Sequence, residues 1–421
     1  MATDIISSLP CEVIDNILKY LPLFDAVRTS TLSREWRYKW VTIPHLIFDS
    51  TCMGNLLWKY NAVSIIDKIL LLHKGSITKF TLTFADSKIC PHIDNWLCFL
   101  SKCEELTLCF DCSGSYPMIS QLLFTLDQLT HLYLVHGELM PPPIFKGFER
   151  LVRLNLVNVS MAAGDFKSFI CKCPMLEYVM VESFGPKAIG DLEIDAPNLK
   201  FFSYRGKLNS IYFKNASRLA EMSIIAHKLK MPQDFPLFEE SHSNVLKFLS
   251  QIPSITKLTC NRNFTQYLAR DGVPHKLPNN LNHMRFLSFW VIDLSTIAEV
   301  SCALCLIRSS PKLQSLVITA LGLRDRENLK TAAQFLKEQQ ACEIPLTRLE
   351  SIYIRNFSGL ESEMEFVKLL LLAATALKKL EIISKHNNVS RKARHEMFEE
   401  LATSRRASTH AEIIIRDFEI I

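Results

Sequence analysis

Apolar residues recur along the chain in one spacing, L-x-x-L-x-L. Triplets of this form start at Ile77, Cys103, Leu129, Leu151, Leu176 and Leu199, and again at Leu219, Ile255, Met284, Leu313, Leu349 and Leu377. The last two positions of each triplet are two residues apart, which puts both side chains on one face of a short strand. The first position closes the preceding turn onto the same core. A unit this small cannot cover its own apolar edge, so neighbours must stack, giving a parallel sheet along a solenoid. Between strands the spacing changes to threes and fours. Ile297, Val300, Leu304 and Ile307 follow the capping residue Ser295. Val245, Leu246, Leu249 and Ile252 form a similar stripe, as do Leu329, Ala333 and Leu336, and Phe366, Leu370 and Ala373. These stripes predict helices packed on the strands. Pro141-Pro142-Pro143 ahead of Phe145 predicts a connector without a long helix.

Successive triplets start 20 to 36 residues apart. Leucine-rich repeats have periods of about 20–29 residues, and the two longest steps read as one unit with an insertion. The first 45 residues carry no such triplet in this reading. Pro10 with Glu12 behind it marks a helix start, with an acid near the positive end of the dipole. Val13, Ile14, Ile17, Leu18 and Leu21 share one helical face, and Pro22 ends that helix. Asp25 is placed to cap a second helix holding Ala26 and Val27, and Ser33 a third holding Trp36 and Trp40. Below about 40 residues a lone core is rarely stable. Some of these side chains are therefore expected against something else, either a partner or the first repeat.

Composition narrows the classes. Among 421 residues, 48% are hydrophobic and 22% charged, close to globular averages of about 45–50% and about 25%. A mainly disordered chain is excluded. The net charge of +5 is spread out and too weak to argue for nucleic acid. Only 12 residues are glycine, which disfavours glycine-fingerprint nucleotide sites. The N-terminus shows no basic and apolar leader, and the run from Phe366 to Leu380 is broken by Lys368, Lys378 and Lys379. No secretory signal and no bilayer span is expected, so an intracellular protein is expected, in the nucleus, the cytoplasm or both. The thirteen cysteines are then expected to be reduced. Cys109-x-x-Cys112 and Cys302-x-x-Cys305 have zinc-like spacing, but they lie several repeats apart. His395-Glu396 opens like a zinc-protease helix, yet Glu399 stands where the second His belongs. Gly185 and Gly190 have phosphate-loop spacing without the following Lys. Arg391-Lys392-x-Arg394 reads as a solvated helix start. No metal, cofactor or catalytic constellation is expected.

The N-terminal pattern resembles an F-box. Its residues are Leu9-Pro10-x-x-Val13-Ile14-x-x-Ile17-Leu18-x-x-Leu21-Pro22, then Ala26-Val27-x-Thr29-Ser30-x-Leu32-Ser33-x-x-Trp36-Arg37-x-x-Trp40. Arg37-Tyr38-Lys39-Trp40 with Ile43-Pro44 is similar to the plant branch that joins an F-box to leucine-rich repeats and a C-terminal FBD domain. Leu349-Glu350, Phe357, Gly359, Glu363, Leu377-Lys378-Lys379-Leu380 and the run Ile413-Ile414-Ile415 resemble the FBD pattern. Glu35 departs from the basic residue often found at its position, and the segment 232–243 matches nothing. The expected fold is α/β: a three-helix F-box, then a curved leucine-rich-repeat solenoid with its parallel sheet on the concave face and helices or loops on the convex face. The expected boundaries are residues 1–45 for the F-box, 46–75 for a linker helix and cap, 76–345 for the repeats and 346–421 for FBD.

The resemblance implies a substrate receptor of a Skp1–cullin–F-box ubiquitin ligase, which performs no chemistry itself. It implies that Leu9, Pro10, Ile14, Ile17, Leu18, Leu21, Pro22, Val27, Leu32 and Trp36 form or support the contact with Skp1, and through it with cullin. The target protein is unknown. A plain repeat scaffold and a small-molecule-dependent co-receptor are the alternatives. The strand alternation adds a second surface. Tyr133, Arg153, Tyr178, Phe201, Arg205, Phe286, Trp290, Tyr353 and Arg355 alternate with the buried positions and are expected on the concave face. Aromatic and Arg side chains dominate binding hot spots, and the three arginines favour acidic or phosphorylated segments. The alternative is that flanking loops cover these rings.

Overall fold

A computed structural model of the chain describes residues 9–49, 62–83, 91–110, 117–183, 191–207, 210–227, 244–321, 329–339, 346–384 and 391–417. The segment 232–243, Cys112, Gly185 and Gly190 lie outside the described residues. Two compact units divide the chain, residues 1–199 and 200–421.

The first unit opens with helices α1 (Cys11–Tyr20) and α2 (Leu23–Arg28). Pro10 and Pro22 precede them with φ of −57° and −53°. The proline rings hold those angles and carry no N–H that would go unsatisfied. Asp25 therefore sits in the first turn of α2 rather than capping it. The expected third helix is absent. Residues 34–38 are turns, and only a 3-10 turn, Lys39–Thr42, follows. The Ser33 hydroxyl bonds the Glu35 carboxylate at 3.3 Å instead of capping backbone. The β-branched run Val41-Thr42-Ile43 before Pro44 further disfavours helix.

Six parallel strands follow in one sheet: β1 (His45–Phe48), β2 (Lys79–Leu82), β3 (Glu105–Cys109), β4 (His131–Glu138), β5 (Arg153–Ser160) and β6 (Tyr178–Glu182). Their inward positions pair in one row, Leu46, Phe80, Leu106, Leu132, Leu154 and Val179. Helices α3 (Ala62–Leu72), α4 (Ile93–Leu97) and α5 (Ala163–Cys171) and a 3-10 turn (Gln121–Thr125) connect them, and β7 (Asp191–Asp195) packs on α5. After Pro141-Pro142-Pro143 the chain turns without a helix. Phe124, Phe145, Phe148 and Phe169 form the core there, with ring centroids 4.8 to 6.3 Å apart. Gly147 (φ +115°) passes so close to the Lys172 carbonyl that a Cβ would collide with it.

The second unit carries strands β8 (Phe201–Lys207), β9 (Ser210–Lys214), β10 (Glu221–His227), β11 (Lys257–Asn261), β12 (Phe286–Ile292), β13 (Ser315–Ala320), β14 (Ser351–Phe357), β15 (Lys379–Ser384) and β16 (Glu412–Asp417). All but β9 lie in one parallel sheet in chain order. Phe202, Met222, Leu258, Leu287, Leu316, Ile352, Leu380 and Ile413 pair in a single row. The connectors are α6 (Asn244–Ser250), α7 (Arg262–Ala269), α8 (Ile297–Arg308), α9 (Leu329–Gln339), α10 (Glu361–Ala373) and α11 (Arg391–Thr403). Thr296, not Ser295, precedes α8, because the Ser295 hydroxyl is held by the Asp293 carboxylate. Every apolar position of the twelve triplets is buried, so one register of inward residues runs through each sheet.

Two local devices shape the strand ends. His136, Asn158, Ser183, Val291 and Asn356 all adopt left-handed backbone, with φ from 52° to 65°. Each lies two residues after the last buried position of its triplet. Their side chains bond the neighbouring strand where they can. His136 Nδ1 lies 2.6 Å from the Phe110 carbonyl, and Asn356 donates to the Ala320 carbonyl at 2.7 Å. The second device is a buried glutamate at the third residue of a helix. Glu299 accepts from the Asp293 N–H at 2.8 Å, and Glu363 from the N–H groups of Ser358 and Leu360 at 2.9 and 3.2 Å. These carboxylates satisfy donors that the strand-to-helix turn would otherwise leave unpaired.

Candidate functional site

Helix α1 divides its apolar residues between two stripes. Ile14 and Leu18 point inward and are 2% and 1% exposed, packed in the unit that also buries Leu23, Ala26, Trp36 and Trp40. Val13, Ile17 and Tyr20, at spacings of four and three, lie on a neighbouring stripe and are 41%, 39% and 90% exposed. The single face read from the sequence is therefore two faces. Of the residues the F-box resemblance marks for contact, Ile14, Leu18 and Trp36 are core. They support the surface and cannot meet a partner while the unit holds this shape. Pro10, Ile17, Pro22 and Leu32 are exposed, and Leu9, Leu21 and Val27 are half-buried. Val13, Tyr20 and Tyr38 extend the exposed apolar surface and were not among the marked residues. The spacing of Val13, Ile17 and Tyr20 marks them as one stripe without saying that it faces out. Cys11, exposed at the start of α1, accepts from Lys39 Nζ at 2.9 Å and ties the helix to the 3-10 turn.

The second surface is the outward side of the parallel strands in each unit. None of the nine side chains assigned to it is buried: Arg153, Trp290 and Arg355 are exposed, and Tyr133, Tyr178, Phe201, Arg205, Phe286 and Tyr353 are half-buried. The rings keep part of their surface open. The structure brings them together in two groups. In the first unit the Arg153 guanidinium lies 5.2 Å above the Tyr178 ring, with Tyr133 two strands away. Burial pushes the Tyr133 hydroxyl's pKa upward, helped by Cys109 and Glu182. In the second unit Arg205 lies 5.0 Å above the Trp290 ring, Lys257 5.3 Å above Phe286, and Lys379 5.6 Å above Tyr353. Such cation–π contacts are worth about 0.5–1 kcal/mol at exposed sites. They hold the rings in place at the surface. Lys257, an outward position of its strand, and Lys379 are the members of these pairs outside the nine residues assigned to the surface.

The cysteines with metal-like spacing sit in different settings. Cys302 and Cys305 are buried in α8, and burial raises both thiols, Cys305 to about 11. Cys109 is half-buried on β3, and its thiol is raised too. Neutral thiols are poor metal ligands. Among the described residues no three His, Cys, Asp or Glu side chains come together as a metal site, and no helix is long and apolar enough to cross a membrane.

Comparison with known proteins decides the family. The F-box domain model matches residues 6–46, a model described as FBD-associated F-box protein At5g56370, LRR repeats, matches residues 93–318, and the FBD model matches residues 338–382. The F-box/FBD/LRR-repeat protein At1g13570 of Arabidopsis thaliana is 33% identical over 98% of each chain. The chain belongs to the F-box/FBD/leucine-rich-repeat family. Two further Arabidopsis thaliana relatives are F-box/FBD/LRR-repeat protein At4g00160, 26% identical over 90% of this chain and 86% of its own, and putative FBD-associated F-box protein At5g50270, 25% identical over 92% and 99%. The F-box model thus covers α1, α2 and the exposed stripe. The repeat model covers β3 to β13, and the FBD model continues through β14 and α10 into β15.

Proposed function

We propose that this chain is the substrate-recognition subunit of a Skp1–cullin–F-box ubiquitin ligase, working inside the cell in the nucleus or cytoplasm. The F-box docks on a Skp1-type adaptor and through it on cullin. The repeats, with the FBD segment as their continuation, hold the protein to be modified. In this role the chain makes and breaks no bonds; it brings a target to the catalytic subunits. The observation that supports the reading is the outward stripe of α1. A helix in water gains nothing from presenting Val13, Ile17 and Tyr20 to solvent. Fully burying a large apolar side chain is worth roughly 1.5–3 kcal/mol; Val13 and Ile17, already more than half covered, would gain less than that.

The test is co-purification of the full chain with a Skp1-type adaptor, using the Ile17→Asp and Leu9→Ala/Pro10→Ala variants. Both are expected to lose the adaptor while melting at the parental temperature. Undiminished adaptor binding in both would leave the scaffold reading, in which this unit is only the N-terminal cap of the repeats.

A further inference from the structure

The outward face of the second unit's sheet is basic. Across β8 and β10–β16, lysine and arginine outnumber glutamate there by six to three. The charge has an order. Trp290, Arg355 and Arg416 each follow the second inward residue of β12, β14 and β16; Arg355 and Arg416 share a row through Ile383, and Trp290 with Val291 stands opposite Thr319 of that row, where the register of β12 shifts. Thr319 and Ile383 fill the strands between. Neighbouring strands lie about 4.8 Å apart, so the row steps by about 9.6 Å. A polyproline-II segment rises about 3.1 Å per residue with three residues per turn, so residues i, i+3 and i+6 share one side at steps of about 9.3 Å. The two repeats match.

Three observations make this row a built surface. Trp290 is 43% exposed while the Arg205 guanidinium sits 5.0 Å over its ring, which covers one ring face and holds the indole steady. Glu381 lies among three cations, 2.6 Å from Lys379 Nζ and 3.8 Å from Arg416 Nε, with Arg355 also acting on it; with Glu412 across from Lys379, this end of the row keeps an excess of one positive charge. The register shifts between Phe289 and Ile292 and between Arg355 and Phe357, stretches that hold Val291 (φ 65°) and Asn356 (φ 57°). Such bulges re-aim the adjoining side chain. A β-branched residue with left-handed backbone is a costly choice, and Val291 stands beside the exposed Trp290.

We propose that this row binds a polyproline-II segment of the target protein, carrying an apolar side chain opposite Trp290 and Asp or Glu side chains three and six residues along, opposite Arg355 and Arg416. The proposal rests on the reading that the repeats hold the target. It fixes the chemistry of the segment and its spacing.

A phage-displayed library of random dodecapeptides, panned against the full chain, tests it. Enriched peptides should share the pattern apolar-x-x-acid-x-x-acid. A synthetic peptide of that pattern should lose about 10-fold or more in affinity with Trp290→Ala or Arg355→Glu, about 1.4 kcal/mol per decade. Replacing its acids by amides, or raising salt from about 50 to about 500 mM, should weaken it similarly. Lys247→Glu, exposed on α6 of the same unit, should change nothing. Should Trp290→Ala melt early, Trp290→Phe and the exposed Arg355→Glu carry the test. Enrichment of peptides without the acidic spacing, still lost with Trp290→Ala, would overturn the acidic class and leave the target-holding role standing. Binding indifferent to both Trp290 and Arg355 would place the segment elsewhere. Retention of a Skp1-type adaptor with no peptide enriched would overturn this inference alone.

Discussion

Helix α1 and the repeat strands put similar side chains to opposite use. Within each unit, the apolar strand positions of the triplets meet the same position of the neighbouring strand, as Leu132 meets Leu154 and Leu154 meets Val179, and all are buried. Helix α1 buries Ile14 and Leu18 and leaves Val13, Ile17 and Tyr20 in water. A repeat finds its cover in its neighbour. The F-box has no copy of itself to stack on, so Val13, Ile17 and Tyr20 stay open to solvent, the surface that the proposed role gives to the adaptor. Stability and partner binding should therefore separate along this line, and mutations can try to break it.

The largest effect belongs to the sheet core. Leu154 is fully buried on β5. Leu154→Ala should cost about 2–5 kcal/mol in denaturant-induced unfolding, with damage starting near β4 to β6 because repeats contact mainly their neighbours. Adaptor binding should survive wherever the protein is still folded. Normal stability in this variant would mean that the inward register is misassigned. Next come two adjacent residues of one helix. Leu18→Ala should destabilise the F-box, whereas Ile17→Asp should leave the melting temperature alone and weaken the adaptor by about 2 kcal/mol, roughly 30-fold. If the two variants behave alike, the division of α1 into two stripes is wrong.

A smaller effect depends on pH. Burial raises the Glu363 carboxyl from its usual value to about 7, against the pull of backbone N–H groups at Ser358, Gly359 and Leu360. The folded chain then keeps a proton that the unfolded chain releases near pH 4.5. That contribution is present at pH 4 and is lost as pH rises through 7. Glu363→Gln keeps one oxygen for the bonds from Ser358 and Leu360, which end on a single atom. The variant should match the parent near pH 5 and exceed it at pH 8 by on the order of 1–3 kcal/mol. Melting curves at the two pH values decide it, and an equal difference at both would show that Glu363 does not titrate in the fold.

Much of this was legible because period 2 leaves little freedom. Once Leu154 and Leu156 face inward, Arg153 and Asn155 must face out. The first strand could have been read the same way. Ile43, Leu46 and Phe48 fit the triplet and are buried, but the F-box pattern claimed that stretch. Strand β16 carries Ile413 and Ile415 without an apolar residue three positions before, so it had only part of the signal. On α1 the apolar residues cover too much of the circumference for spacing to say which side faces in. That choice depends on where Trp36 and Trp40 come to lie, and the turns that place them were expected to be a helix. The left-handed positions were legible only at Asn158 and Asn356, whose side chains tolerate that backbone. Nothing in the local sequence announces it at Val291. The cation–π pairs were out of reach for a different reason: Arg205 and Trp290 lie on β8 and β12, and only the sheet brings them within 5.0 Å.

The smallest effect is expected where the strand entries meet water. Lys378 Nζ lies 2.7 Å from Glu350 Oε2, with the side chains 71% and 47% exposed. The distance alone suggests a strong pair. Exposure argues otherwise, since water screens both charges and each long side chain loses freedom by joining, so such pairs contribute about 0.2–1 kcal/mol. The backbone bond from Lys378 N–H to the Glu350 carbonyl, 2.9 Å, is untouched by either side chain and keeps β15 in register with β14. Arg262 and Glu299 are the opposite case, joined at 2.9 Å with the carboxylate fully buried. Removing Arg262 strands a charge, while removing Lys378 strands nothing. A double-mutant cycle on Lys378→Ala and Glu350→Ala should therefore give a coupling below about 0.5 kcal/mol that vanishes in salt. A coupling above about 1 kcal/mol would mean that the strand entries, and not the buried rows alone, hold the repeats together.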